Sequence, residues 1–395
     1  MLGSLIRGPN STAPTLRGRF GAPRNLTLLL VLAVVWGFFY LQTGGTFLTQ
    51  RNLILLALQT SIVSLAAISA VMLIVSRNFD LSVGSAVALV GVVLAVLTVK
   101  HDVDPGLAVL ASLACGLAMG AWQGFWVTRL GVSSFIVTLA GMLYFRGLSM
   151  IITNGATVAP LPKSLTVFAT GFLAPRFAVP LVLAAAAAYL AMTAAHTRRA
   201  RKLGLAAPPR MAAAVVPILA LTLLAVWLCL WKGMPYLVLL VACCATAAEI
   251  VMRRTHFGTQ IYAVGSNPEA ARLSGIDLKV VVFWNFVLAG VAYGVTGIAL
   301  TARVGGAIGG SAGLFLELDA IAAAVIGGTA LRGGQGTVLG ALVGALLMGS
   351  LNNGMSLMNV PIFYQDTARG FVLLLAVAAD QFSRRRIRGS RPELA

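Results

Sequence analysis

The chain has 395 residues, 59% of them hydrophobic and only 10% charged, with a formal net charge of +18. Ordinary globular chains carry about 25% charged residues, so a string of soluble domains is excluded. The apolar residues fall in blocks of about 17 to 25 without acid or base, the length a helix needs to cross hydrocarbon, and the ten-residue alternation of a transmembrane barrel is missing.

The first 25 residues hold four arginines and no acid, and read as a disordered basic cytoplasmic tail. The span that follows has no small-residue cleavage site after "WGFFYLQTGG", so it reads as retained. Spans are expected near 26–43, 53–75, 81–99, 106–128, 132–152, 178–194, 212–230, 234–252, 279–300, 315–331, 337–358 and 363–382. The fold class is therefore all-α, a polytopic integral membrane helical bundle of about 12 transmembrane helices. With the N-terminus inside, one face collects most of the arginines. The other gets only Arg51, Lys100, Lys163, Arg176, Lys232 and Arg303. Such lopsidedness places both termini in the cytoplasm. It explains the basic charge without a nucleic-acid partner.

Along the chain, "SRNFDLSVGSAVALVG" (76–91) interrupts an apolar run with Asp80, Ser82, Gly84 and Ser85. Asp80 either caps the next helix or lines a translocation path. Residues 153–177 form a longer outer connection, and the basic loop 195–211 lies on the inner face near anionic lipid. Glu317 and Asp319 open a span just after the glycine-rich "GGAIGGSAG". Gly336, Gly340 and Gly344 stand four apart, a small-residue stripe that lets helix backbones approach closely in lipid. Asn352, Asn353 and Asn359 flank the same span, where they either pair helices or meet a polar solute.

Ionisable residues inside spans are few: Arg146, Glu249, Arg369 and Asp380, the last three near a span end. A proton- or sodium-driven carrier needs carboxylates at mid-membrane, and none stands out as central. The four cysteines, Cys115, Cys229, Cys243 and Cys244, read as small packing residues, and no metal is expected. Enzyme motifs are missing. "LRGGQGT" lacks the lysine and preceding strand of a phosphate loop, so no catalytic residue is assigned.

One stretch breaks the apolar pattern. In "SNPEAARLSG" (266–275), Asn267 suits an N-cap, Pro268 the first helical position and Glu269 the positive helix end. Ala270, Ala271, Arg272, Leu273 and Ser274 continue, and Gly275 suits a left-handed C-cap. So short a helix is marginal alone in water. It is either a plain interfacial loop helix or a knob that docks in a partner's groove.

The longer "FGTQIYAVGSNPEAARLSGI" resembles the cytoplasmic coupling segment of bacterial monosaccharide ABC transporter permeases. "NFDLSVGSAVALVG" (78–91), "AAAVIGGTALRGGQGTVLGALVGALLMG" (322–349) and "GFVLLLAVAADQFSRRR" (370–386) are similar to that family in the same order, and the likeness runs from about residue 50 onward. "RNFD" stands where a Gly-Gly-Ile-Asp-like run is common. The additional pair 212–230 and 234–252 resembles the D-xylose branch. The resemblance implies a permease domain over 26–383, with an inserted helical pair at 212–252, a coupling segment at 253–278 and a basic tail at 384–395. It implies an inner-membrane homodimer among lipids, fed by a periplasmic sugar-binding protein and driven by a cytoplasmic ATPase. That partner, not this chain, would bind ATP and Mg. Residues 267–275 would then transmit the ATPase movement, with 80–85 and 327–336 at or near the path.

Overall fold

The computed structural model describes residues 22–202 and 210–389. Most of the tail expected over 1–25 lies outside the described residues, as does the end of the one expected over 384–395. The helices are α1 (Ala22–Gln42), α2 (Gln50–Val75), α3 (Val83–Ala95, extended by a π-turn to Lys100), α4 (Pro105–Thr128), α5 (Ser134–Thr153), α6 (Lys163–Thr170), α7 (Pro175–Lys202) and α8 (Arg210–Lys232). They continue as α9 (Tyr236–Arg254), α10 (His256–Ser266), α11 (Pro268–Leu273), α12 (Leu278–Val304), α13 (Leu316–Ile326), α14 (Val338–Leu357) and α15 (Ile362–Gly389). Four two-residue strands, β1 (Thr157–Val158), β2 (Phe172–Leu173), β3 (Met234–Pro235) and β4 (Ala307–Ile308), pair as β1–β4 and β2–β3.

A helix stands at each expected span, and among the described residues eight are long and apolar enough to cross a membrane. Polar caps set the starts: Asp104 accepts from the N–H groups of Gly106 and Leu107, Asp277 from Lys279 and Val280, and Thr337 from Gly340. Each satisfies amides the first turn leaves unpaired. The span expected at 315–331 is corrected. The helix there, α13, has 11 residues, about 16 Å at 1.5 Å per residue, and cannot cross a hydrocarbon core of about 30 Å. Positive φ at Gly328, Gly333 and Gly334 unwinds the chain behind it.

The buried centre is α2, enclosed without a break from Thr60 to Val75 by its neighbours among α9, α12, α13 and α14. Its flank is the α4–α12 crossing, where Gly116, Gly120 and Gly124 face Phe286, Gly290 and Gly294. A Cβ on Gly116 would stand 2.6 Å from the Gly290 carbonyl oxygen, and one on Gly120 would overlap that of Phe286. This four-residue spacing was as visible in the sequence as the one at 336–344. The latter is also corrected: Gly336 precedes α14 and packs on Val75 and Thr329. Gly340 and Gly344 are helical, against the carbonyls of Gly327 and Ala323 of the α13 segment.

The helices of the expected 212–252 pair part company. α9 packs into the body, on α2, α6, α10 and α14, whereas α8 lies chiefly along α7. The α7–α8 excursion leaves at Leu173 and returns at Met234 through a neck of two strands, Phe172 opposite Pro235 and Leu173 opposite Met234. Among the described residues, α8 meets the body near its end. There Leu224 and Leu228 rest on the Phe39–Phe47 cluster, and Gln50 Nε2 donates to the Trp227 carbonyl.

Candidate functional site

Two helices begin inside the bundle. α2 stops at Val75, residues 76–82 run irregularly, and α3 starts at Val83. Asn285 Nδ2 donates to the Met72 carbonyl and the Ser76 hydroxyl at 2.8 Å each, which fixes the lower end of that break on α12. Tyr293, two turns on, donates its hydroxyl to Asp80 Oδ2. Tyr293 lies 15 residues beyond Leu278, so Asp80 sits about 22 Å along α12, near its middle. On the other side, residues 309–315 descend unwound past Ser149 and Thr153, and α13 starts at Leu316. The two starts touch: a Cβ on Gly313 would be 2.6 Å from the Gly84 carbonyl oxygen, and one on Gly84 would overlap Gly313 and Glu317.

The lining of this junction is polar and closed. Asp80 Oδ1 accepts from the Ser82 amide and hydroxyl, both at 2.7 Å, and Gln123 donates to the same hydroxyl. Asp80 therefore closes a turn rather than capping α3 in the ordinary way: the N-cap is Ser82, and α3 has no side-chain cap. Ser85 donates back to the Ser82 carbonyl at 2.8 Å. Arg146 Nη1 donates to the Ala312 carbonyl at 2.6 Å, fixing the descending loop. Glu317 is 9% exposed, and among the described residues its Oε2 has no hydrogen-bond partner. The expectation of no central carboxylate is thus corrected. Asp80, Glu317 and Asp319 are all buried, and the α2–α3 break carries Asp80 from an apparent span end to the middle of α12. Tyr293 and Gln123 had no sequence signal, since each stands among scattered polar residues of a mainly apolar helix with nothing local to mark it out.

The candidate path residues do not gather in one place. Asn353 exchanges hydrogen bonds with Asn52 at 2.8 and 3.1 Å at the start of α2, about 35 Å along that helix from Val75. Asn352 accepts from Arg369 Nε at 2.7 Å and so ties α14 to α15. Both asparagines pair helices.

α11 follows α10 at the end of the bundle nearer the α2–α3 break. Asn267 Oδ1 accepts from the Glu269 and Ala270 amides at 3.1 and 3.2 Å, Pro268 occupies the first position, and Gly275 is left-handed at φ +83°. Ala271 is 4% exposed and faces the body, while Glu269, Ala270, Arg272 and Leu273 face outward, Leu273 at 81%. The preceding helix α10 is what anchors it. Tyr262 donates to the Gly336 carbonyl at 2.8 Å. Burial pushes its phenol pKa up, so it remains a donor at neutral pH. The glycines of "LRGGQGT" form a turn after a helix, not a phosphate loop after a strand: the Gly334 amide donates to the Val75 carbonyl at 2.8 Å.

A buried polar junction between interrupted helices, with a capped stub beneath it, is the anatomy of a membrane transport permease. The chain belongs to the family described as branched-chain amino acid transport system / permease component, whose model matches residues 52–377. It is 40% identical to the xylose transport system permease protein of Escherichia coli K12 over 370 residues, 92% of this chain and 93% of that one. The Haemophilus influenzae protein of the same name is 39% identical over 91% of this chain and 96% of its own. The ribose import permease protein of Escherichia coli K12 is 34% identical over 90% and 92%. No solved structure matches.

Proposed function

We propose that this chain is the membrane-spanning subunit of an ATP-binding-cassette importer that brings D-xylose across the bacterial inner membrane. The family description names amino acids. The sugar assignment rests instead on similarity to xylose permeases over nine-tenths of the chain, which exceeds the similarity to ribose permeases. On this reading the chain crosses twelve times, once through the unwound residues 309–315 and α13 together, which places both termini and α11 in the cytoplasm. Two copies pair around a path among lipids, and a periplasmic binding protein delivers the sugar. The chain itself hydrolyses nothing, because ATP and Mg sit in a cytoplasmic partner.

The observation that carries the mechanism is α11: six residues with both ends capped, one face seated on the body and the other, with Leu273, left open. A helix this short persists only when held. Its open face fits the groove of a partner ATPase. The path runs through the junction of Asp80, Ser82, Gly84, Ser85 and Glu317, which opens when the starts of α3 and α13 separate. An ion-coupled carrier is the competing reading, and the central Asp80 is the observation in its favour.

The test is sugar-stimulated ATP hydrolysis in proteoliposomes that contain the permease, its ATPase and its binding protein. D-xylose is expected to stimulate more than ribose, and Glu269→Arg and Leu273→Asp are expected to abolish stimulation. Uptake that persists without the ATPase and follows a proton gradient would establish the ion-coupled carrier instead.

A further inference from the structure

α2 ends in a Schellman turn: the Arg77 amide donates to the Ile74 carbonyl and the Asn78 amide to Leu73, each at 2.9 Å. The residue at the turn's left-handed position is normally glycine, which has no Cβ to clash. Here it is Arg77, at φ +64°. Holding an arginine in that conformation is unfavourable, and its side chain shows what offsets the strain. Nε donates to the Gly265 carbonyl at 2.7 Å and Nη2 to the Ser266 carbonyl at 2.9 Å. These carbonyls end α10 and immediately precede Asn267, the cap of α11. Carbonyls at a helix C-terminus carry partial negative charge, so a cation bound there is favoured.

The contact is built from both sides. A Cβ on Gly265 would overlap the Val75 carbonyl, and one on Gly333 would stand 2.5 Å from the Arg77 Cγ. Three residues beyond Arg77, Asp80 is bound to Tyr293 at the closed junction. Between them the chain is stiff. Asn78 Nδ2 donates to the Ser76 carbonyl at 3.0 Å, and the Phe79 amide to the Ser134 hydroxyl at 3.3 Å.

We infer that Arg77 is the positioning residue through which α10 and α11 move the α2–α3 turn, so that displacement of α11 is passed to Asp80. The inference rests on α11 being the ATPase contact. Arg77 does not hold the ATPase; it links the α11 support to the junction.

The test compares Arg77→Gly, Arg77→Lys and Glu269→Arg in the reconstituted complex. It reads ATPase subunit retained per permease and the ratio of D-xylose-stimulated to unstimulated hydrolysis. Glycine suits the left-handed position, so Arg77→Gly is expected to fold and to retain the ATPase at wild-type stoichiometry. Its stimulation ratio is expected to fall about tenfold or more, within the usual range for loss of a coupling contact. Arg77→Lys, with a single ammonium in place of the fork, is expected to recover part of the ratio. Arg77→Gly that couples like wild type while Glu269→Arg does not would overturn the role of Arg77 alone. Arg77→Gly that sheds the ATPase would overturn it too, by making Arg77 part of the docking surface. Glu269→Arg that couples normally would remove the α11 reading, and the Arg77 link with it.

Discussion

α2 and α7 are equally hydrophobic and packed in opposite ways. The apolar stretches of the two helices have mean hydropathies of 2.1 and 2.0, yet 89% of the residues in one are buried within the protein and 6% in the other. In lipid, apolar surface costs nothing to expose, so hydropathy marks a membrane segment without saying what it touches. The polar residues make the difference. α2 carries Asn52, Thr60, Ser61, Ser64 and Ser69, all buried. α7 offers Pro180 and a run of alanines and leucines to its surroundings.

The largest contrast is expected from adding bulk. Gly120→Leu forces a side chain into the Phe286 carbonyl and should destabilise the protein by about 3 kcal/mol or more. Ala187→Leu, exposed on α7, should stay within about 0.5 kcal/mol. Thermal unfolding in detergent measures both, and equal losses would end the distinction between the two helices.

Removing a polar group gives the next effect. Asp80→Ala leaves the buried Tyr293 hydroxyl and the Ser82 donors without their acceptor, at about 2 kcal/mol. Tyr189→Phe on the exposed face of α7 should leave the melting curve unchanged.

A smaller loss is expected where burial contributes little. Asn267→Ala deletes the α11 cap, at about 1 kcal/mol. Faster amide exchange confined to Glu269 and Ala270 would report it, whereas unchanged exchange would show that packing on Ala271 alone holds the stub.

The most drastic edit should do little. The two strands of the neck bring Leu173 and Met234 side by side, so replacing residues 174–233 with two glycines should leave a folded protein, melting a few degrees lower through loss of the α8 contact with Phe39 and Phe47. Aggregation of that variant in detergent would mean that α7 and α8 are part of the body.

Hydrophobic runs, caps and charge asymmetry are local properties, and they were enough for the all-helical membrane class. They also supplied the start of nearly every long helix and the capped stub at 267–275, since Asn267, Pro268 and Gly275 act on their own backbone. What the sequence could not express was depth. Whether Asp80 lies at a membrane surface or in the middle of the bundle depends on where α2 stops relative to α12, and only the Asn285 and Tyr293 contacts decide that. In the same way, α13 counted as a full span until the left-handed glycines behind it shortened it, and Gly336 counted as helical until Thr337 capped α14 one residue later. Which of two equal glycine stripes forms the tightest crossing, and which of two equally apolar helices stands apart, likewise belong to tertiary structure. Short-range patterns fix what each segment is. Its neighbours and its depth arise from contacts between residues hundreds of positions apart.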